Sequence, residues 1–295
     1  MAAGGANKAG WRAPVLGPAK SLELRGGTIA YHDVGSGPVI VFVHGVLVNA
    51  NLWRKPVELL APDFRCVVLD LPLGSHILPL RQDAANDPSA VANLIADALE
   101  ELDLDDVTLV GNDSGGALSQ MLVTTRPERV ARLVLTSCDY RDNSPPRLFS
   151  YLKLLAVVPA LLWLFVQPMR FRLPRRLPIA FGWVAKKPIE RPAEDSYALP
   201  VNRSGDVRRD VRKFIRGFDK VTANATADRL GGFERPALIA WSAEDRVFPL
   251  ADGESLARDL PDSRLELIDD AYTFSAEDNP DRLAELVGGF VRSPA

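Results

Sequence analysis

An aspartate and a serine lie side by side among glycines in LVGNDSGGAL, residues 109–118. An apolar, strand-like run leads in, and a helix-like run leads out. A tight turn between a strand and a helix holds its middle side chain up at the helix N-terminus. There, backbone N–H groups and the helix dipole favour developing negative charge. Small flanking residues are needed because the turn is strained and passes close to its neighbours. Two registers fit. Gly111-Asn112-Asp113-Ser114-Gly115 places Asp113 at the apex, and Asn112-Asp113-Ser114-Gly115-Gly116 places Ser114 there. Glycine on both flanks favours Asp113 as the candidate nucleophile.

Such a turn needs a sheet behind it. SLELRGG and TIAYHDVG read as two strands, with Gly26-Gly27 giving a hairpin turn. PVIVFVHG and FRCVVLDLP are continuous apolar runs, as in strands buried on both faces of a parallel sheet. Helical spacing follows around 52–60 and 88–102, then DVTLVG, the turn itself, a helix ending near Pro127, and ARLVLTSC. Beyond Cys138 the rhythm breaks. Residues 139–232 are rich in proline and arginine, with helical patches only. The rhythm returns at PALIAWSAED, a helix near 251–259, SRLELIDD and a final helix near 280–291. Alternating strands and helices imply an α/β fold with a mostly parallel central sheet. The expected organisation is a disordered leader over 1–20, a core from 21–138 and 233–295, and a helical cap over 139–232. Ligands of open α/β sheets bind at the carboxyl edge of the strands, beneath such a cap.

Composition narrows the function classes. A net charge of −3 and a hydrophobic content of 47% describe an ordinary globular chain, and a nucleic-acid partner is not expected. Cys66 and Cys138 sit in strand-like runs and read as buried free thiols. No Cys/His cluster has metal spacing, no phosphate loop is present, and no cofactor is expected. The N-terminus lacks a signal-peptide core, so the expected location is the cytoplasm. The apolar stretch Leu154–Val166 is shorter than the ~20 residues a membrane span needs. It reads as a cap helix, and membrane contact is not expected; peripheral contact, suggested by Arg170, Arg172, Arg175 and Arg176 just after it, is the lesser reading. RRDVRKFIRGFDK (208–220) reads as a last cap helix with a solvated basic face.

In order and spacing, VFVHG (41–45), VVLDLPLGSH (67–76), LVGNDSGGAL and WSAEDRVFP (241–249) resemble the α/β-hydrolase superfamily over nearly the whole chain. An apex aspartate resembles its epoxide hydrolase and haloalkane dehalogenase branch. There the carboxylate attacks carbon to form an ester, and a histidine activates water to cleave it. The resemblance makes Asp113 the nucleophile and Asp245 the acid that orients the histidine, with Asp139 the runner-up for that acid. It assigns the oxyanion or halide-side cradle to the N–H groups of Ser114 and Val46. The dehalogenase branch usually has tryptophan and asparagine at these two positions, so dehalogenation is disfavoured. Tyr151 and Tyr197 could protonate an opening epoxide, and Trp163 and Trp183 suggest an apolar lid. The histidine itself is missing. The loop DDAYTFSAED places Thr273 at its position, and threonine is no base near neutral pH. The three histidines, His32, His44 and His76, all precede residue 77. His76 could reach the site as a substitute base, His44 reads as structural, and His32 reads as a surface or strand-end residue. The expected function is hydrolysis of a small, largely apolar epoxide or ester-like substrate. The alternative is a non-hydrolytic or catalytically silent ligand-binding protein on the same fold.

Overall fold

The computed structural model describes residues 9–293. Eight strands form one sheet: β1 (Lys20–Leu24), β2 (Gly27–Val34), β3 (Val39–Val43), β4 (Arg65–Asp70), β5 (Val107–Asp113), β6 (Val130–Cys138), β7 (Ala237–Ser242) and β8 (Ser263–Ile268). Their order is β1-β2-β4-β3-β5-β6-β7-β8. The β1–β2 and β2–β4 pairs are antiparallel, and every other pair is parallel. The hairpin turn falls one residue earlier than expected, because Leu24 pairs with Gly27. The central strands are apolar throughout because both faces are covered: Ile40, Val41, Phe42, Leu109, Val110 and Leu135 are fully buried.

Helices α1 (Arg54–Leu60), α2 (Pro88–Glu101) and α3 (Ser114–Thr125) join the first strands. The start of α2 is set by Pro88 and by Asp87, whose side chain accepts from Ala90 N. Between β6 and β7, residues 139–236 contain no strand. They carry α4 (Tyr151–Val157), α5 (Pro159–Val166), α6 (Arg172–Arg175), α7 (Arg191–Arg203), α8 (Gly205–Gly217) and α9 (Lys220–Ala227). Helix α10 (Leu250–Asp259) precedes β8, and α11 (Ser275–Asp278) and α12 (Pro280–Arg292) close the chain.

The expected disordered leader is corrected where it can be seen. Residues 1–8 lie outside the described residues, but 9–20 pack onto the core. Ala13 and Leu16 are buried. Asn51 holds both Ala13 N–H (2.8 Å) and Trp11 carbonyl (2.9 Å), and Arg12 Nε reaches Asp70 Oδ2 at 3.1 Å. A short polar-looking segment is ordered here by a buried ion pair and two backbone bonds, none of which has a periodic signature.

Candidate active site

Strand β5 runs directly into α3, and Asp113 is the joint. Its φ of 55° and ψ of −134° lie in a region that side chains other than glycine rarely adopt. Ser114 is the first helical residue, so the apex belongs to Asp113. The strain is held in place by close packing. A Cβ on Gly115 would sit 2.4 Å from the Val43 carbonyl oxygen. One on Gly45 would sit 2.2 Å from Asp113 Oδ2, so the carboxyl group lies against bare backbone. Gly45→Ala must therefore displace the carboxyl group. The expected cost is about 1–3 kcal/mol in urea unfolding, with a larger proportional loss of activity than of stability.

Burial pushes Asp113 up to about 7, and the nearby Asp245 adds to this; the Ser114 and Val46 N–H groups pull the other way. Val46 N–H also donates to Ser114 Oγ at 2.8 Å. The serine hydroxyl thus occupies the Val46 N–H. Asp139, at the end of β6, is 2% exposed, and its Oδ1 has no hydrogen-bond partner among the described residues. Burial and then Asp113 hold it well above the usual carboxylate range.

Asp113, Ser114, Val46 and Asp139 line a cavity with about 1030 Å³ of empty space, mouth included. Its walls come from the insertion and are apolar, among them Phe149, Leu152, Phe165, Phe181, Phe214 and Phe218. The cavity sits at the carboxyl edge of the parallel strands, where ligands of open α/β sheets bind.

Asp245 follows β7. Its Oδ1 accepts from Val247 N (2.8 Å), Phe248 N (2.9 Å) and Thr273 Oγ1 (3.0 Å), while its buried Oδ2 has no partner among the described residues. Burial outweighs these bonds and raises its carboxyl group. Thr273 therefore makes a contact to Asp245 of the kind a histidine N–H would make, but its hydroxyl is no base. It is fully buried, and its carbonyl accepts from Asn112 Nδ2 at 2.8 Å. Phe274, not Thr273, lines the cavity.

The substitute-base expectation for His76 is corrected. Its Nδ1 accepts from Gly74 N at 3.2 Å, its Nε2 faces Asp210 Oδ2 at 3.2 Å, and it does not line the Asp113 cavity. Burial pushes Asp210 up, but the bonds from His76, Leu80 N–H and Arg209 outweigh it and hold its carboxyl group low. His44 is structural, as read. Its Nδ1 lies 2.8 Å from the Gly45 carbonyl, its Nε2 accepts from Leu71 N at 2.9 Å, and burial lowers it to about 4. His32 is not at the surface: it is fully buried, with Nδ1 3.1 Å from the Gly17 carbonyl.

The tyrosines are corrected as well. Tyr197 lines the cavity, but its hydroxyl donates to Glu277 Oε1 at 3.0 Å. The Tyr151 hydroxyl donates to the Ile179 carbonyl at 2.6 Å. Neither is free to protonate a substrate. Trp163 is half exposed and, like Trp183, is absent from the cavity wall. Sequence reasoning missed Asp210 and Glu277, which fix His76 and Tyr197. The pairs are 134 and 80 residues apart, and no local pattern signals them. Cys66 and Cys138 are buried free thiols, as expected.

A strand–apex–helix joint at the carboxyl edge of an eight-stranded, mostly parallel sheet decides the family, and the family described as "alpha/beta hydrolase fold" matches residues 38–280. The chain belongs to the alpha/beta hydrolase fold family. This alpha/beta hydrolase is 26% identical over 279 residues to the uncharacterized hydrolase YugF of Bacillus subtilis (strain 168), covering 90% of this chain and 95% of that one. It is 25% identical over 285 residues to haloalkane dehalogenase 2 of Mycobacterium bovis (strain ATCC BAA-935 / AF2122/97), covering 93% and 96%. Among solved structures, an alpha/beta hydrolase fold protein from Burkholderia ambifaria superposes with a TM-score of 0.77 at 20% identity, covering 91% of this chain and 96% of that one.

Proposed function

We propose that this alpha/beta hydrolase cleaves a small, largely apolar epoxide through an ester on Asp113. The observation that carries the reading is a carboxylate held at the strained apex, in the wall of a largely apolar cavity. Its hydrolase relatives support the reaction class. A carboxylate of raised pKa is a stronger nucleophile once ionised, and an apolar cavity excludes competing water.

Asp113 attacks a ring carbon, and the ring C–O bond breaks. The leaving oxygen needs a proton. Both nearby tyrosines are committed elsewhere, whereas Asp139 lies in the same cavity and burial favours its protonated form. We assign the proton donor to Asp139, which leaves as a carboxylate. A water then gives its proton to Asp139 while its oxygen attacks the Asp113 ester carbonyl. The Ser114 and Val46 N–H groups face the oxyanion. Collapse releases the diol, whose oxygen takes the proton carried by the Asp113 carboxyl group. Epoxide and water give diol, and both aspartates are restored. A carboxylate is a weaker base than imidazole, so cleavage of the ester is the slow step, and the ester accumulates.

Diol formation from styrene oxide by wild type, Asp113→Asn and Asp139→Asn tests the roles. Asp113→Asn should abolish turnover. Asp139→Asn should slow ester formation from the epoxide roughly a hundredfold, yet leave alkylation by an iodoalkane unchanged, because iodide needs no proton. Equal rates for wild type and Asp113→Asn would refute the reading. Persistent binding of styrene oxide with no bond made would favour the silent binding protein, for which the absent histidine speaks.

A further inference from the structure

The insertion carries exposed apolar side chains that nothing among the described residues covers. Leu154 is 63% exposed, Trp163 50%, Leu164 61%, Phe171 59% and Leu173 78%. These residues lie on consecutive packed elements: α4 against α5, α5 against the turn Gln167–Arg170, and that turn against α6. Helix α5, PALLWLFV, has no polar side chain on any side. Its inner residues Phe165 and Val166 line the Asp113 cavity, and its outer residues Trp163 and Leu164 face outward. A helix that is apolar all round is suited to apolar surroundings on both sides. Exposed patches of this kind mark interaction sites.

Cations border the face. Trp163 shares a cleft with Arg208, Arg209 and Arg212 of α8. Among the described residues, Arg208 bonds only the carbonyls of Val201 and Asn202, and Arg212 only those of Ala156 and Val157. Their charges therefore have no carboxylate answering them. Arg170 stacks over Phe171, with its guanidinium 5.0 Å from the ring centre. A second copy of the chain would bring more of the same cations to the seam, where like charges repel. Anionic headgroups would neutralise them. Tryptophan and leucine beside arginine form the pattern of a helix lying in a membrane interface.

We propose that this face docks on an anionic lipid bilayer, with Trp163, Leu164, Phe171 and Leu173 in the interfacial layer and Arg170, Arg208 and Arg212 at the headgroups. Docking is peripheral, because no helix among the described residues is long and apolar enough to cross a membrane. It takes up the lesser of the two sequence readings, peripheral contact, on the ground of which residues of the run face outward. It does not depend on the chemistry at Asp113. It places the wall of an apolar cavity beside a reservoir of apolar molecules.

Sedimentation of the full chain with vesicles tests it. Wild type should pellet with mixed phosphatidylcholine and phosphatidylglycerol, far less with phosphatidylcholine alone, and less as salt rises. Leu164→Ser and Leu173→Ser replace exposed side chains, so they keep the fold. Each should lower partitioning roughly tenfold. Arg208→Glu with Arg212→Glu should remove the preference for phosphatidylglycerol. No sedimentation, or equal sedimentation of the leucine variants, would overturn the proposal. So would a dimer in light scattering that Leu164→Ser dissolves, since that outcome assigns the face to a second copy.

Discussion

Asp113→Asn is expected to stabilise the folded protein increasingly as pH rises, with the gap over wild type widening by about 3 kcal/mol between pH 5 and pH 8. Burial lifts the Asp113 carboxyl group from 3.8 to about 7 in the folded chain. The folded state therefore holds a proton that the unfolded state has lost. The stability tied to that proton is full below about pH 4 and drains away as pH rises through 7. At pH 8 the folded wild type carries a buried carboxylate with the Asp245 carboxyl group nearby. Asparagine has nothing to ionise, so it escapes this penalty. It also removes the charge that helps to raise Asp139. Urea unfolding of both proteins at the two pH values measures the gap. A constant gap would mean that Asp113 is ionised at both, and that its burial costs little.

Thr273→His is expected to shorten the lifetime of an Asp113 ester by roughly 10²- to 10⁴-fold. Thr273 Oγ1 already sits 3.0 Å from Asp245 Oδ1, the partner that would orient an imidazole. Asp245 Oδ2 is buried and has no hydrogen-bond partner among the described residues. A histidine here would gain an anion on one nitrogen and leave the other to take a proton from water. Thr273 is fully buried, so the larger ring should cost about 1–3 kcal/mol of stability. Chase experiments after brief exposure to styrene oxide would give both lifetimes. A folded variant whose ester lasts as long as that of wild type would mean that Asp245 does not address the ester.

What the sequence made legible was periodic or local. Buried strands read as apolar runs, and the break after Cys138 marked the insertion. Gly111 and Gly115 fixed the apex at Asp113, because only a glycine at 115 fits against the Val43 carbonyl. What stayed hidden was held by distant partners. His76 looked free to reach the site, but Asp210, from the far side of the insertion, holds it. Tyr197 looked like a proton donor, and Glu277 holds its hydroxyl. Residues 9–20 looked like loose leader, and Asn51 and Asp70 anchor them. The apolar run of α5 was read from its length and the arginines that follow it. Periodicity cannot show which of its sides lacks a partner when all of them are apolar.

The most direct test of the central claim is the intact mass of the protein after exposure to styrene oxide, with Asp113→Asn beside it. The account predicts one added epoxide mass on wild type, located to the peptide holding Asp113, and none on the variant. An unmodified wild type that nevertheless turns the epoxide over without burst, or an adduct that survives in Asp113→Asn, would contradict it.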